Sequence, residues 1–197
     1  MLPPIDHPQS GITGILLAAG QARRFGGGKL LHRLDSGAPI GIAAYRNLRA
    51  ALDQVLVVVR PDDVALANLF ADAGAQVVWC ADAQLGLSRS LISGVDAAPA
   101  GHGLIIALAD MPFVQPATIQ KLVEILRDGA LLAAPIYAGK RGNPVAFSAQ
   151  LRTELSRAIG DAGARDVINR HAHEMTQIHC DDPGVLRDID TREDLRS

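Results

Sequence analysis

The sequence predicts an α/β fold with a mostly parallel central sheet. Apolar segments of strand length alternate with segments of helical composition, the order produced by right-handed β–α–β units. Hydrophobic residues make up 48% of the 197 residues but aromatic residues only 4%. The core must therefore be built from alanine, valine, leucine and isoleucine, as in buried parallel strands covered by helices. We expect a Pro-rich N-terminal tail at residues 1–11, followed by a single domain at residues 12–197.

The first half of the chain alternates predicted strands and helices. Continuous apolar or β-branched runs predict the strands, and a glycine directly after the second helical segment predicts where that helix ends. In chain order we expect a strand, a helix, a strand, a helix and a strand at residues 12–18, 39–52, 54–60, 62–73 and 75–80.

The second half continues this alternation less regularly. GLIIALAD is an unbroken apolar run that stops at Asp110, and a proline opens the helical segment that follows it. We expect helices at residues 87–97, 116–127, 149–159 and 163–171, and strands at residues 103–110, 130–135, 143–147 and 174–180. The turn-rich segment IYAGKRG links two of these strands, and Thr191 with the acidic residues after it predicts a further helix start.

Composition argues against several classes of function. The net charge is −2. The sequence lacks the features that indicate a nucleic-acid binder, namely a basic tail and cations interleaved with aromatic residues. The N-terminus has neither the basic nor the apolar region of a signal peptide, and no apolar run approaches the roughly 20 residues that cross a bilayer. The two cysteines share no metal-ligand spacing, nor do the late histidines. We expect a cytoplasmic protein that binds a small molecule.

The segment LLAAGQARRFGGGKLL, residues 16–31, has the composition of a phosphate-binding loop. It carries four glycines together with Arg23, Arg24 and Lys29, and no carboxylate occurs from His7 to Leu34. Glycines let backbone N–H groups approach an anion, and unopposed cations attract a polyphosphate.

Two common phosphate-binding motifs do not fit this loop. Leu30 follows Lys29 where a P-loop needs serine or threonine, and Ala22 replaces the second glycine of the dinucleotide fingerprint. A flexible loop with solvated arginines is the alternative interpretation.

Two groups of carboxylates are candidate metal ligands. Asp110 follows an apolar strand and should emerge at the same sheet edge as Gly20, where a carboxylate and substrate phosphates can hold Mg²⁺. Asp188 and Asp190 are two residues apart, so in an extended segment only one can face a shared site. Caps of turns or helices are the alternative role for all three.

Two polar turns are weaker candidates. GDAGARD places Asp161 and Arg165 among glycines before a helical segment, which suits a second polar or anionic contact or a plain interhelical turn. Lys140 and Arg141 lie before a predicted strand, where a solvated hairpin tip is an equally good interpretation.

Several segments in the same order resemble the nucleotidyltransferase family that includes the molybdenum cofactor cytidylyltransferases and guanylyltransferases. The matching segments are LAAG, RFG with Lys29 behind it, GLSRSLISGV, LADMP, RGNPVAF, GDAGAR and DIDTREDL. The resemblance spans residues 12–195, and the GDAGAR segment is typical of the cytidylyltransferase-like branch. It implies a Rossmann-like three-layer nucleotidyltransferase fold.

The resemblance also implies a reaction and roles for individual residues. A phosphate of a molybdopterin-type cofactor would attack the α-phosphorus of a nucleoside triphosphate, releasing pyrophosphate, with Mg²⁺ as cofactor. The implied catalytic residues are Arg24, Lys29 and Asp110; the implied nucleotide-binding residues are Leu17, Ala18, Ala19, Gly20, Arg24, Lys29, Ser90 and Asp110. Asp110 and Asp190 would hold the metal, and Asp161, Arg165 and Asn143 would contact the acceptor.

The sequence departs from the family pattern at two places and leaves alternatives open. Ala22 stands where family members often have serine, and Asn143 where they often have histidine. The second alanine of LAAG, where the guanylyl-transferring branch usually has glycine, favours CTP over GTP. A guanylyltransferase, transfer to a sugar phosphate or other metabolite, and a non-catalytic chaperone that delivers the cofactor to a client molybdoenzyme remain alternatives.

Overall fold

A computed structural model describes residues 11–20, 25–160 and 163–195. Its strands are β1 Ile12–Leu17, β2 Gln54–Val59, β3 Gln76–Trp79, β4 Gly103–Leu108, β5 Leu132–Tyr137, β6 Lys140–Arg141, β7 Val145–Phe147 and β8 Met175–His179. Its α-helices are α1 Ile40–Arg49, α2 Val64–Asp72, α3 Leu87–Ala97, α4 Pro116–Arg127, α5 Arg152–Leu155 and α6 Arg165–Arg170.

All eight strands belong to one sheet in the order β3-β2-β1-β4-β7-β5-β6, with β8 paired to β5. The β1–β2, β1–β4, β2–β3 and β5–β8 pairs are parallel, and the β4–β7, β5–β7 and β5–β6 pairs are antiparallel. Only β6 and β7 therefore run against the other strands, which confirms the predicted α/β fold with a mostly parallel sheet.

Helices cover both faces of the sheet and make three layers. On one face α1, α2 and α4 form an apolar cluster with alternate strand residues, including Leu48, Phe70 and Leu122. On the other face α3, α5 and α6 form a second cluster, including Leu91, Leu155 and Ile168. The alternation within β1, β2 and β4 directs successive side chains into opposite clusters.

The chain order places a ligand site at the carboxyl ends of β1 and β4. From β1 the chain moves outward to β2 and β3, and it then returns to place β4 on the other side of β1. In open α/β sheets, ligands bind at this point of reversal, outside the carboxyl ends of the strands. Backbone hydrogen bonds continue past the strand ends here, from Ala18 N to Val58 O at 2.9 Å and from Ala109 N to Leu17 O at 3.1 Å.

A buried carboxylate anchors the segment after β8 to the start of α4. Asp182 is 2% exposed and accepts hydrogen bonds from Gln115 N, Thr118 Oγ1 and Gly184 N at 2.9, 2.7 and 3.0 Å. These donors satisfy the carboxylate, which would be costly to bury without partners. The segment 182–190, which we call the strap, is thereby held against the carboxyl edge of the sheet.

The structure corrects two predictions in the β5–β7 region. Lys140 and Arg141 form β6, where a turn-rich link was predicted, and β7 begins at Val145 rather than at residue 143. Pro144 has no N–H to donate to a strand ladder. The N–H of Asn143 donates to Val185 O at 2.9 Å, so that residue binds the strap instead of a neighbouring strand.

Two predicted helices are also shorter than expected. The helix predicted at residues 149–159 is a 3₁₀ turn at Ala149–Leu151 followed by α5, which ends at Leu155, and Ile159 beyond it is 83% exposed. The helix predicted from Thr191 is only a 3₁₀ turn at Glu193–Leu195 within the described residues.

Candidate active site

The carboxyl end of β1 presents backbone to the sheet edge. Leu17, Ala18 and Ala19 are 7%, 3% and 3% exposed, so their side chains belong to the interior. Gly20 is exposed, and a Cβ built on it would meet no heavy atom of the described residues within 4 Å. The chain here offers peptide groups next to open space, as a bound nucleotide requires.

The glycines after Phe25 direct Lys29 inward. Gly26, Gly27 and Gly28 have φ values of 88°, 92° and 62°, a region that side-chain-bearing residues rarely adopt. The chain then enters a 3₁₀ turn at Lys29–Leu31, and Lys29 is 7% exposed. A lysine is rarely buried to this degree unless its charge is paired.

Lys29 lies between two carboxylates from distant parts of the chain. Its Nζ is 2.8 Å from Oδ2 of Asp110 and 3.4 Å from Oδ1 of Asp190. Asp110 follows β4 by two residues, and its carbonyl accepts a hydrogen bond from Ile189 N at 2.9 Å. That bond joins the strap to the end of β4 and places Asp190 beside Asp110.

Asp194 orients the backbone around Asp190. Its Oδ2 accepts hydrogen bonds from Asp190 N, Thr191 N and Thr191 Oγ1 at 2.9, 2.7 and 3.0 Å. The backbone N–H groups of Thr191 and Asp190 hold the pKa of Asp194 below its usual value. Asp188 is exposed. Of the pair Asp188 and Asp190, only Asp190 faces Lys29.

The carboxylate pair suits a hard divalent cation that is also bound by a substrate. Asp110 and Asp190 offer oxygen atoms only, and the described residues contain no group of three or more histidine, cysteine or acidic side chains that could hold a metal. Mg²⁺ is commonly bound by one or two carboxylates, substrate phosphates and water. The residues present therefore fit a metal that arrives with a nucleotide.

A pocket of about 180 Å³ opens beside this site, between the sheet and α6. Its floor consists of apolar strand residues, namely Leu17, Ile106, Leu108, Val145 and Phe147. Arg141, Asn143 and Arg165 supply its polar groups. Leu17 and Leu108 end β1 and β4, so the floor runs directly to the nucleotide loop and to Asp110.

The structure brings together several of the residues predicted for the site. Asn143 and Arg165, both predicted to contact the acceptor, line the same pocket. Ser90, predicted to lie near the base or ribose, is 3% exposed within α3. Arg24 and Asp161 lie outside the described residues.

The sequence reasoning named Arg141 only as a weaker candidate and did not name Asp194. Arg141 lines the pocket, whereas a solvated hairpin tip was an equal alternative interpretation of its turn. The only signal for Asp194 was local: Thr191 and the acidic residues after it predicted a helix start, but not that Asp194 would orient the backbone of Asp190.

An ionic cluster holds the C-terminal end of α6. The His171 ring contacts Oε1 of Glu154 at 3.0 Å and Oε1 of Glu174 at 2.9 Å, and Arg170 pairs with Glu154. Hydrogen bonds to Glu174 and Glu154 raise the pKa of His171, and its hydrogen bond to Glu154 lowers the pKa of that carboxyl. The cluster ties α6, which carries Arg165, to α5.

None of the helices in the described residues is both long and apolar enough to span a membrane.

Comparison with known proteins gives consistent matches along most of the chain. The protein family described as MobA-like NTP transferase domain matches residues 14–175. The purine catabolism protein PucB of Bacillus subtilis is 32% identical over 194 residues, covering 93% of both chains. The nicotine blue oxidoreductase of Paenarthrobacter nicotinovorans is 28% identical, covering 93% of this chain and 94% of its own. A molybdenum cofactor guanylyltransferase of Burkholderia ambifaria is 28% identical, covering 86% and 85%.

Solved structures show the same fold. Rv0371c of Mycobacterium tuberculosis superposes with a TM-score of 0.84 at 28% identity, covering 94% of this chain and 95% of that one. A second structure of that protein, in complex with manganese, superposes with a TM-score of 0.79 at 27% identity, covering 95% and 97%.

Proposed function

The chain belongs to the MobA-like NTP transferase family and is a nucleotidyltransferase, and from this premise we propose that it transfers CMP from CTP to a molybdopterin-type acceptor with Mg²⁺ as cofactor. The observation that carries the proposal is the convergence of Asp110 and Asp190 on the buried ammonium of Lys29. Two carboxylates beside a cation and an exposed glycine loop are the groups that a metal-bound triphosphate needs.

The proposed reaction forms one phosphoanhydride bond and breaks another. An oxygen of the acceptor phosphate attacks the α-phosphorus, and the bond from that phosphorus to the oxygen bridging to the β-phosphate breaks as pyrophosphate leaves. A divalent cation held by the carboxylates would neutralise charge on the phosphate oxygens. The chain contributes position and charge, since this chemistry needs little covalent participation by protein groups.

Each residue has a distinct proposed task at the sheet edge. The backbone of Leu17, Ala18, Ala19 and Gly20 lines the nucleotide, and Ser90 lies on the side of the base and ribose. Lys29 neutralises the triphosphate, together with Arg24, whose role rests on the family pattern. Asn143, Arg165 and Asp161 face the acceptor; the first two line the pocket beside the nucleotide loop.

The choice of base rests on one position. Ala19 takes the place of the second glycine usual in the guanylyl-transferring branch, which supports CTP. The guanylyltransferase relative makes GTP the principal alternative, and transfer to another phosphorylated metabolite or a chaperone role for a client molybdoenzyme are the further alternatives.

Pyrophosphate release tests the proposal. The protein is incubated with Mg²⁺, each of the four nucleoside triphosphates and molybdopterin or a sugar phosphate. We expect acceptor-dependent pyrophosphate from CTP with molybdopterin. Acceptor-dependent release from GTP but not from CTP would show that the cytidylyl assignment is wrong.

Variants of the carboxylates test the catalytic assignment. Asp110→Asn and Asp190→Asn should each lower the transfer rate by about 100-fold or more, because each removes charge at the reacting phosphates. Asp188→Asn is the matched control, since that exposed carboxylate is two residues from Asp190 and faces away from Lys29. A non-catalytic chaperone would keep its delivery of cofactor to a client molybdoenzyme in all three variants.

A further inference from the structure

The pocket beside the nucleotide loop combines an apolar floor with two guanidinium groups. Arg141 and Arg165 line it together with Asn143, and none of the described residues that line it is acidic. No carboxylate of the described residues forms an ion pair with either arginine. Two guanidinium groups at one pocket attract an anion.

Arg141 reaches the pocket because of its place in the sheet. It pairs with Ile136 at the end of β6 and lines the pocket, and the alternation of side chains along a strand directs Lys140 to the opposite face of the sheet. Arg141 is therefore directed by strand geometry toward the floor residues Val145 and Phe147, although it stands one residue after a hairpin turn.

The backbone that carries Arg141 is held tightly. Gly142 N donates to Pro135 O at 2.8 Å, and Asn143 N donates to Val185 O at 2.9 Å. A Cβ built on Gly142 would lie 2.5 Å from the carbonyl oxygen of Val185, so the strap packs directly on this backbone. Such support fixes the position from which the guanidinium group extends, as a binding residue requires.

Arg165 lies on the opposite wall. It is the first residue of α6, and Ala164 and Ile168 of the same region line the pocket beside it. One arginine therefore comes from the sheet and the other from the helix. An anion between them can accept hydrogen bonds from two planar guanidinium groups, an arrangement that suits phosphate oxygens.

We propose that Arg141 is an acceptor-binding residue that, opposite Arg165, holds a phosphate monoester whose flat ring system lies face down on the apolar floor of the pocket. The identification of this ligand as the acceptor rests on the proposed function. Leu17 and Leu108 connect the floor to the nucleotide loop and Asp110, so a phosphate held here has one side turned toward the α-phosphorus.

Direct binding of a probe tests the proposal without turnover. The probe is 1-naphthyl phosphate, a two-ring phosphate monoester, and 1-naphthol is the same body without the phosphate; intrinsic fluorescence of the naphthyl group reports binding. We expect Arg141→Gln to weaken binding of 1-naphthyl phosphate by about tenfold or more, the effect of losing a charge-assisted hydrogen bond. Arg165→Gln should have a comparable effect, and Arg141→Lys should retain part of the affinity.

Lys140→Gln is the matched control because it removes the neighbouring cation from the opposite face of the same short strand. It should leave the affinity for 1-naphthyl phosphate unchanged. Thermal unfolding of each variant checks that the fold is retained. The proposal is overturned if Arg141→Gln weakens binding no more than Lys140→Gln does, or if 1-naphthol binds as tightly as its phosphate.

Steady-state kinetics then separate this proposal from the proposed function. In the transferase assay, Arg141→Gln should raise the KM for the acceptor and leave the KM for the nucleoside triphosphate unchanged. If no acceptor supports transfer while the probe still distinguishes Arg141→Gln from Lys140→Gln, the phosphate site stands and the proposed acceptor reaction fails. If transfer occurs with an unchanged acceptor KM in Arg141→Gln, the role of Arg141 fails and the proposed function stands.

Discussion

Lys29 places a cation between the two candidate metal ligands. It is almost fully buried, and its ammonium group contacts carboxylates that come from the end of β4 and from the strap. The same oxygen atoms are the candidate ligands of a divalent cation. The lysine therefore balances the negative charge of the pair in the absence of nucleotide and competes with a metal that arrives alone.

Replacing Lys29 by methionine tests this competition. Lys29→Met keeps most of the side-chain volume and removes the charge. We expect Mn²⁺ to bind the nucleotide-free protein more tightly, by about tenfold, because the carboxylates lose an opposite charge at 2.8 and 3.4 Å. Transfer should nevertheless fall by about 100-fold or more, since the triphosphate loses a cation. Electron paramagnetic resonance of Mn²⁺ measures the affinity, with Lys140→Met as control; an unchanged affinity would contradict the competition.

Gly20 offers a second test at the scale of one residue. Within the part of the chain that the structure describes, a Cβ at this position meets no heavy atom within 4 Å, and the φ of Gly20 lies outside the left-handed region. Gly20→Ala should therefore not lower the free energy of unfolding. It should weaken CTP binding by about tenfold, because the methyl group enters the space assigned to the nucleotide.

Gly94→Ala is the contrasting variant. Its Cβ would lie 2.4 Å from Cγ2 of Ile15, where α3 packs on β1. It should lower the free energy of unfolding by about 1–3 kcal/mol. Chemical denaturation and calorimetric titration with CTP measure the two effects. Equal loss of stability in both glycine variants would show that the space beside Gly20 is not open.

Among the elements, α5 and α6 are joined by a titratable contact. The protonated ring of His171 donates to Glu154 and Glu174, which raises the pKa of His171 and lowers the pKa of Glu154. The histidine contribution to stability is present below its usual pKa of 6.5 and is lost as pH rises through the raised value. The glutamate contribution is present above its usual pKa of 4.5 and is lost as pH falls through the lowered value.

His171→Gln should therefore reduce stability most between pH 4.5 and 6.5, the interval in which both contributions are complete. The difference from the unsubstituted protein should shrink in alkaline solution, where the imidazole is neutral in both states. Urea denaturation at a series of pH values measures this difference. His179→Gln is the control because that exposed histidine lies in β8, outside the cluster of Glu154, His171 and Glu174. A difference that grows as pH rises above 6.5 would contradict the assignment.

Helices and strands were predicted correctly where apolar residues recur with one clear period along a long segment. The structure has α3 and α4 at the predicted residues 87–97 and 116–127, because both helices bury one apolar side and α4 starts with a proline. It failed where tertiary contacts decide the backbone. The two residues of β6 pair only with the end of β5, and the N–H of Asn143 is used by the strap, a partner some forty residues away that no local pattern indicates.

At the scale of the whole molecule, the candidate metal ligands lie outside the two apolar clusters that hold the fold together. Asp110 and Asp190 lie at the sheet edge with 26% and 46% of their side chains exposed, and Lys29 already neutralises them. Chelation of divalent cations should therefore stop pyrophosphate release without changing the midpoint of thermal unfolding. Treatment with EDTA followed by addition of Mg²⁺ or Mn²⁺ measures both properties; a lower midpoint in EDTA would indicate a structural metal.

The position of the site follows from topology more than from any one motif. Parallel strands bring their carboxyl ends to one edge, so the sequence predicted that Asp110 would lie near the loop after β1 although about ninety residues separate them. The pocket could not be predicted from the order of strands and helices in the same way. Its walls combine β6, β7 and α6, and their meeting depends on antiparallel pairings and on packing that the alternation of strands and helices does not specify.

The strap connects both sides of the proposed reaction within one short peptide. Val185 O accepts the N–H of Asn143 at the pocket, and four residues later Ile189 N donates to Asp110 O beside the carboxylate pair. The number of residues between these two contacts fixes the distance between the acceptor pocket and the carboxylate pair. We therefore expect homologues to have no insertions or deletions between residues 185 and 189. The exposed turn around Ile159 can vary in length without changing that distance.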